Sequence, residues 1–594
     1  MGLFSMTPSA AFAGKVFDNK RATEPMIKMT AFKPSFTWEF KSERLERAIP
    51  ETEGVSSLSI FRFLKKIEQD KTLNFHSISI VRNGKLLCEA SFGAERTDVW
   101  KYSFSACKSV VSLAIGLLVD DGALFLDEKV VDIFAKEIPP LAKIKLKDLT
   151  VEDLLTMRSP VLFAEIDSAI ESDWLKGYFS APIKGECGEE FRYNSLNTYI
   201  LSAIIAKKAQ KSLTHFLDER LFSPLGIATD SWYWERCPQG VEKGGWGLYI
   251  YQEDFCKIAQ LVLQKGIWKG SRLLSEEYID TATTPHVCVT QESALFDYGY
   301  HIWVGKQADV FLFNGMLGQN IIGFKRNGIV VAVNAGTGEF FQQSNFFKYV
   351  FEFFDSDFPS VLPLSRKNYN KLSRFIDSLS LYRPPKSGLL KQINNKRISR
   401  KKAKILSEVR ALSDFQFRFF KGYEQSVGLL PLVLQIVHSC FASGFESLSF
   451  EYEGEKAYML YKEKAIQYKI PLGFLDPEIS ELSFGENRFL VATTAKFKSD
   501  EYDRQTLIIR VDFLEFPSSR ILKLVLLNDE TAMLYHEELP GKDFAIETVR
   551  EHASEYLDKP LLASVVEKIG LDFFEFKAER AFAPELILKK EKKQ

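Results

Sequence analysis

After Lys108 the chain reads SVVSLAIGLLVDDGAL, apolar with no proline and no glycine before Gly116, and it closes on Asp120-Asp121-Gly122. This pattern predicts a helix of about four turns with Gly122 as its C-cap. The helix is apolar nearly all round, which places it in the middle of a domain. Upstream, a helix is predicted around Ser57–Ile67. The alternating stretches from His76 and over Lys85–Phe92 flank Asn83-Gly84, the signature of a β-hairpin with a type I′ turn. Residues 123–245 read as mostly helical. They include an N-cap at Thr150, amphipathic segments at Asn197–Ala209 and Leu213–Phe222, and a stop at Pro224-Leu225-Gly226. A short strand at Leu248–Tyr251 and a helix over 252–265 follow. Strands are then expected at Tyr298–Val304, Asp309–Phe313, Asn320–Lys325 and Ile329–Ala335, the last after an Asn327-Gly328 turn. A Phe-rich helix at about 341–355 closes the unit.

Strands, then helices, then strands and a last helix describe an α+β fold: an antiparallel sheet flanked by helices, with a helical subdomain inserted at about 123–245. Residues 1–55 are irregular and polar and read as an N-terminal extension to a domain over 56–360. Residues 361–444 read as linker and helical connection, with the Pro-, Ser-, Lys- and Arg-rich stretch 360–404 as a solvated linker. Beyond 445, short alternating segments such as SLSFEYEG, TLIIRVDFLEF and RILKLVLL predict a small antiparallel sheet or barrel over 445–594. A helix is expected near Ala545–Ile569.

At 594 residues the chain is too long for a single core, and two to four domains are expected. Lys+Arg 77 against Asp+Glu 78 leaves a net charge of -1, so the balance favours neither nucleic acid nor an anionic membrane. No stretch has the length of a transmembrane span. The first twenty residues lack the basic n-region and apolar core of a secretion signal. Seven cysteines, an odd number and never in a CxxC pair, argue for free thiols rather than a disulfide framework, which tilts localisation towards the cytoplasm. The dispersed histidines and cysteines suggest no metal, and no cofactor is expected. Fifty phenylalanines have no functional reading at this level.

Chemistry enters at Phe104-Ser105-Ala106-Cys107-Lys108-Ser109. Ser105 and Lys108 stand three residues apart at the head of the apolar helix, on one face. Burial and the helix dipole disfavour the ammonium form of Lys108, and a neutral amine beside a hydroxyl is a base beside a nucleophile. Ser-x-x-Lys alone is weak, since Ser399-Arg400-Lys401-Lys402 repeats it in a basic, solvated stretch; the buried helix behind Ser105 makes the difference. Cys107 should point away from the Ser105–Lys108 face as a small packed residue. Two further stretches could complete a site. Tyr193, in FRYNSLNTY before a helix, could act as acid or base if a cation such as Lys108 destabilises its proton. Gly315, in FNGMLGQN, would let backbone approach a ligand closely and complete an oxyanion hole.

In this order the segment from about His76 to Ala335 resembles the serine β-lactamase and penicillin-binding-protein superfamily, most of all the class C β-lactamase-related branch with its esterases and 6-aminohexanoate-dimer hydrolases. HSISIVRNGKL, FSACKSVVSLAIGLLVDDGALFLDEKV, KDLTVEDLLTMRS, FRYNSLNTYILSAII, GGWGLYIYQEDFCKIAQLVL, YGYHIW and FNGMLGQN carry the resemblance. It implies the β-lactamase/transpeptidase-like fold and a serine hydrolase working through an acyl-enzyme on a small-molecule ester or amide. It also implies Ser105 as nucleophile, Lys108 as its proton partner, Tyr193 as proton shuttle, and the N–H groups of Ser105 and Met316 as oxyanion hole. Ser195, Asn314 and Gly315 would line the substrate. The C-terminal module resembles the lipocalin-like domain that trails such hydrolases. Two departures stand out. Ser195 holds the position of asparagine in the Tyr-x-Asn motif, and Asn314-Gly315-Met316 replaces Lys-Thr-Gly or His-x-Gly, which leaves no cation for a β-lactam carboxylate. The readings that compete with an esterase or amidase are a true β-lactamase or peptidase, and a catalytically silent module that binds peptide or glycan. Substrate and oligomeric state are not encoded in any of these features.

Overall fold

Two sheets organise the computed structural model, which describes residues 29, 31–169, 171–291, 294–338, 342–382, 403–422, 427–440, 442–464, 466–541 and 583–593. They belong to two compact units, one over 27–92 and 96–379, the other over 380–594 with 93–95.

In the first unit the main sheet has eight strands: β1 Glu46–Arg47, β2 Phe75–Arg82, β3 Lys85–Ser91, β4 Phe296–Tyr298, β5 Trp303–Gly305, β6 Val310–Gly315, β7 Gln319–Phe324 and β8 Ile329–Ala335. Their order is β1-β3-β2-β8-β7-β6-β5-β4, antiparallel except for the parallel β1–β3 pair. Asn83 and Gly84 take φ 51 and 77, the doubly left-handed turn that the Asn-Gly pair predicts. Side chains alternate across each strand. On one face Phe311, Phe313, Ile321, Val330 and Ala332 pack with α2 (Cys107–Asp120), the predicted apolar helix. It is buried from Cys107 to Leu118, with Gly122 at φ 66 behind it. α3 (Ser195–Ala209) and α4 (Gln252–Leu263) share this core. On the other face Leu312, Ile322 and Val331 pack with α1 (Ser57–Gln69), α5 (Asn345–Phe354) and α6 (Arg366–Leu379). The phenylalanines find their role here, in ring pairs such as Phe61–Phe375 and Phe63–Phe354 at 5.0 and 5.1 Å.

Several expectations need correction. The strand expected at Tyr298–Val304 is two short strands, β4 and β5, and His301 between them takes φ 52. Residues 366–379, polar enough to read as linker, form α6, which buries Leu372 and lays Phe375 on α1. The strand Leu248–Ile250 pairs with Lys101–Tyr102 and Trp232–Trp234 in a separate three-stranded sheet. The region 123–245 alternates short helices with loops, and α3 is its longest element.

The second unit carries ten antiparallel strands. They are β9 Phe415–Gly422, β10 Phe445–Glu453, β11 Lys456–Glu463, β12 Ile466–Pro471, β13 Glu478–Phe484, β14 Asn487–Ser499, β15 Gln505–Phe513, β16 Ser518–Leu526, β17 Thr531–Leu539 and β18 Glu585–Lys592, in the order β12-β11-β10-β9-β18-β17-β16-β15-β14-β13. The Gly473–Thr494 bridge brings the two ends together, so the sheet is a nearly closed barrel. Its first strand lies upstream of residue 445 and its tenth near the C-terminus. Arg520 and Glu538, both 1% exposed, pair at 2.9 Å on its inner face. Arg520 also donates to the Leu430 carbonyl and Glu538 accepts the Leu432 N–H, tying the 427–440 segment to the barrel. The helix expected at Ala545–Ile569 and the second Ser-x-x-Lys lie outside the described residues. No helix among the described residues is long and apolar enough to cross a membrane.

Candidate active site

Ser105 sits in a 3-10 turn, Phe104–Ala106, that leads into α2 rather than within the α-helix itself. Phe104 takes φ 47, a left-handed conformation that costs a non-glycine residue roughly 1–2 kcal/mol. Its ring is held edge-on against Tyr102 at 4.7 Å, so packing stabilises the strained turn and leaves the Ser105 hydroxyl half-exposed.

Lys108 is 1% exposed. Its Nζ donates to Ser105 Oγ at 2.6 Å, Ser195 Oγ at 2.8 Å and the Gly245 carbonyl at 2.8 Å. Three acceptors match the three donors of an ammonium. A neutral amine keeps only two N–H bonds, so its lone pair is left to receive the Ser105 proton. Burial, the largest cause, lowers the Lys108 pKa to about 8, against weaker opposing effects of Cys107 and Glu165. The amine therefore exchanges between base and acid near neutral pH.

Each acceptor has a structural reason to be where it is. Ser195 is the first residue of α3, whose N-cap Asn194 accepts from the Leu196 N–H. Gly245 must be glycine: a Cβ there would lie 2.5 Å from the Ser195 carbonyl oxygen. Cys107 points away, as expected, with its thiol on the Phe104 and Gly244 carbonyls and its pKa pushed up to about 12 by burial.

Tyr193 reaches the same place from the loop before α3. Its ring centroid is 4.9 Å from Lys108 Nζ and stacks on Trp303 at 6.0 Å. Burial raises the phenol pKa above its ordinary value, and a side-chain hydrogen bond with Ser105 only partly offsets this. The sequence argument expected a neighbouring cation to destabilise the phenol proton. Burial outweighs any such effect, and the phenol stays protonated. His301, behind Tyr193, is neutral: burial first, and the Lys108 charge second, lower its pKa to about 3. It lies 3.0 Å from Thr198 Oγ1 and 3.4 Å from Tyr298 OH.

The end of β6 closes the site. A Cβ on Gly315 would lie 2.3 Å from the Ser103 carbonyl oxygen and 3.2 Å from the Ala106 nitrogen, so glycine lets this strand press against the turn that bears Ser105. Gly315→Ala is therefore expected to displace that turn and lower turnover by roughly 10²-fold, measured as kcat on a reporter ester beside a melting curve. Met316 follows, half-buried. Asn314 points to the opposite face of β6, where its amide donates to Asn320 Oδ1 at 2.6 Å and accepts from Gln342 at 3.4 Å. The fold thus gathers Ser105, Lys108, Tyr193, Ser195, Gly315 and Met316, and leaves the Asn314 side chain apart.

Three participants escaped sequence reasoning. Gly245 stood in the visible Gly-Gly-Trp-Gly run but read as loop; Trp303 closes the YGYHIW stretch but was given no role, and Glu165 had no motif. Glu165 opens a short helical turn, Glu165–Ser168, and accepts the Ser195 N–H at 3.3 Å.

Residues 65–337 match the β-lactamase family model. Among solved structures the chain is similar to a penicillin-binding protein from Bacillus halodurans (19% identity, 48% of this chain and 97% of that one covered, TM-score 0.39). It is also similar to a penicillin-binding protein homologue from Caulobacter crescentus (16%, 49% and 94%, TM-score 0.41). A third likeness is to a family VIII carboxylesterase (16%, 52% and 98%, TM-score 0.43). No curated protein matches the sequence.

Proposed function

Residues 65–337 form a β-lactamase-family domain, and from that premise we propose that the chain is a serine hydrolase acting through an acyl-enzyme on an ester or amide. The observation that carries this reading is Lys108: a buried amine with a pKa of about 8, 2.6 Å from a half-exposed serine hydroxyl. Ser105 Oγ attacks the substrate carbonyl carbon as its proton passes to Lys108. The N–H groups of Ser105 and Met316 stabilise the oxyanion, where one such donor is worth about 2.7–4 kcal/mol of barrier. Tyr193, protonated by virtue of its burial, hands a proton to the leaving group and is restored from Lys108. Water then attacks the acyl carbon, and Ser105 recovers its proton as the acid leaves. Ser195, with its hydroxyl on Lys108, holds the amine. Without a cation in the Asn314-Gly315-Met316 motif, substrates lacking a carboxylate beside the scissile bond are favoured over β-lactams. A lipocalin-like character of the barrel belongs to the same reading.

The test is rapid acid quench with p-nitrophenyl acetate followed by intact-mass measurement, then a panel of esters, anilides and a chromogenic cephalosporin. An acetyl adduct located on Ser105, with esters or anilides turned over ahead of the cephalosporin, is expected. No adduct on folded protein would favour the silent binding module.

The pH dependence has a definite sign. The base is the deprotonated amine, so kcat/KM should rise as pH increases through about 8 and level off above it. Ordinary buffers should show no fall from Tyr193, whose pKa is displaced upwards. A flat profile between pH 6 and 10 would remove Lys108 from the role of base.

A further inference from the structure

We propose that Glu165 is a positioning residue for Ser195 and Lys108 that sets when Lys108 can act as a base; its catalytic consequence, though not its effect on Lys108, rests on the serine-hydrolase reading. The first support is geometric. Glu165 Oε1 accepts the N–H of Ser195 at 3.3 Å, and the Oγ of that same serine accepts from Lys108 at 2.8 Å. The residues just before it hold the other side of the α3 N-terminus: the Val161 and Phe163 carbonyls accept from Asn194 Nδ2 at 3.3 and 3.1 Å. Segment 161–165 therefore clamps Asn194-Ser195 directly after Tyr193, with a carboxylate placed against a helix N-terminus, where its charge is favourable.

The second support is the charge around Lys108. Three titratable groups lie around it. Cys107, on its own helix and pointing away, has a thiol pushed up to about 12, His301 is lowered to about 3, and Tyr193, ahead of α3, is raised. All three are neutral near pH 7. The Glu165 carboxylate, seated on the Ser195 N–H, raises the Lys108 pKa and further disfavours the Tyr193 phenolate. Burial alone would leave Lys108 neutral at lower pH. The carboxylate draws it back, so that one amine can release a proton in one step and take it up in the next.

The experiment labels the full chain with [ε-13C]lysine, assigns Lys108 by the signal lost in Lys108→Met, and follows its chemical shift with pH. Glu165→Gln keeps an oxygen for the Ser195 N–H and removes the charge, and its Lys108 midpoint should fall below that of wild type. Glu165→Ala should lower it similarly, whereas Glu165→Asp should stay near wild type. The acid limb of kcat/KM should move with the midpoint, and the plateau kcat of Glu165→Gln should stay within severalfold. An unmoved midpoint in both the Gln and Ala variants overturns the proposal. So does a collapsed plateau with an unmoved midpoint, which would make Glu165 a reacting group. If wild type hydrolyses nothing, the hydrolase reading fails while the midpoints still decide this one.

Discussion

Ser105→Ala is expected to lose fluorophosphonate labelling entirely and to lower ester kcat/KM by roughly 10⁴-fold or more. The size follows from what the hydroxyl does. On the proposed reading it is the atom that bonds to the substrate, with Lys108 2.6 Å away to activate it. Removing it leaves the oxyanion donors and the binding surface in place, so a residual acceleration over water should survive. The variant should fold, since Ser105 is half-exposed and the strained Phe104 turn rests on packing against Tyr102. Cys107 offers a control inside the same motif. Its thiol is buried and bonded to the Phe104 and Gly244 carbonyls, so Cys107→Ser should retain labelling. Labelling that persists in Ser105→Ala and disappears in Cys107→Ser would transfer the nucleophile to the thiol.

What was legible in the sequence follows a physical division. α2 was legible because a helix apolar on every side has few alternatives to a central position, and Gly122 marks its end. The hairpin at Asn83-Gly84 was legible because few residue pairs accept two consecutive positive φ values. The Ser105–Lys108 pair was legible because it lies three residues apart where a short turn runs into α2. Features made by contact between distant segments were not. The two-residue strand Lys101–Tyr102 has no periodicity to read and exists through its pairing with Tyr249 and Ile250. Gly245 reaches Lys108 from a loop, and Glu165 reaches Ser195 from a single helical turn. α6 was hidden by its composition, since it buries little beyond Leu372 and lays Phe375 on α1. The state of Tyr193 was not legible for a related reason, since the burial that raises its pKa is made by contact between distant segments.

The second large effect is expected from Lys108→Met: a loss of roughly 10³–10⁴-fold in kcat/KM with little loss of stability. A lysine pKa lowered from 10.5 to about 8 in a side chain 1% exposed means that folding at pH 7 works against the ammonium. The cost is about 3 kcal/mol as an upper bound. The sign is fixed by linkage. The unfolded chain holds its proton up to a higher pH than the folded chain, so the cost is fully present below about pH 8 and is relieved as pH rises towards 10.5. Methionine, similar in length and uncharged, removes that cost. It also leaves Ser195 Oγ and the Gly245 carbonyl without their donor, at about 1–3 kcal/mol each. These terms nearly cancel, so the melting temperature at pH 7 should change by only a few degrees. Wild type should gain stability relative to the variant between pH 8 and 10.5, which denaturant titrations at pH 7 and pH 10 would measure. Equal stability differences at both pH values would mean that the amine carries its proton at little cost, and Lys108 would then be a structural cation rather than a base. A steep loss of stability at pH 7 together with lost activity would point the same way. Lost activity with kept stability is the pattern of a residue retained for its chemistry, its proton made easy to lose by the same burial that makes it expensive.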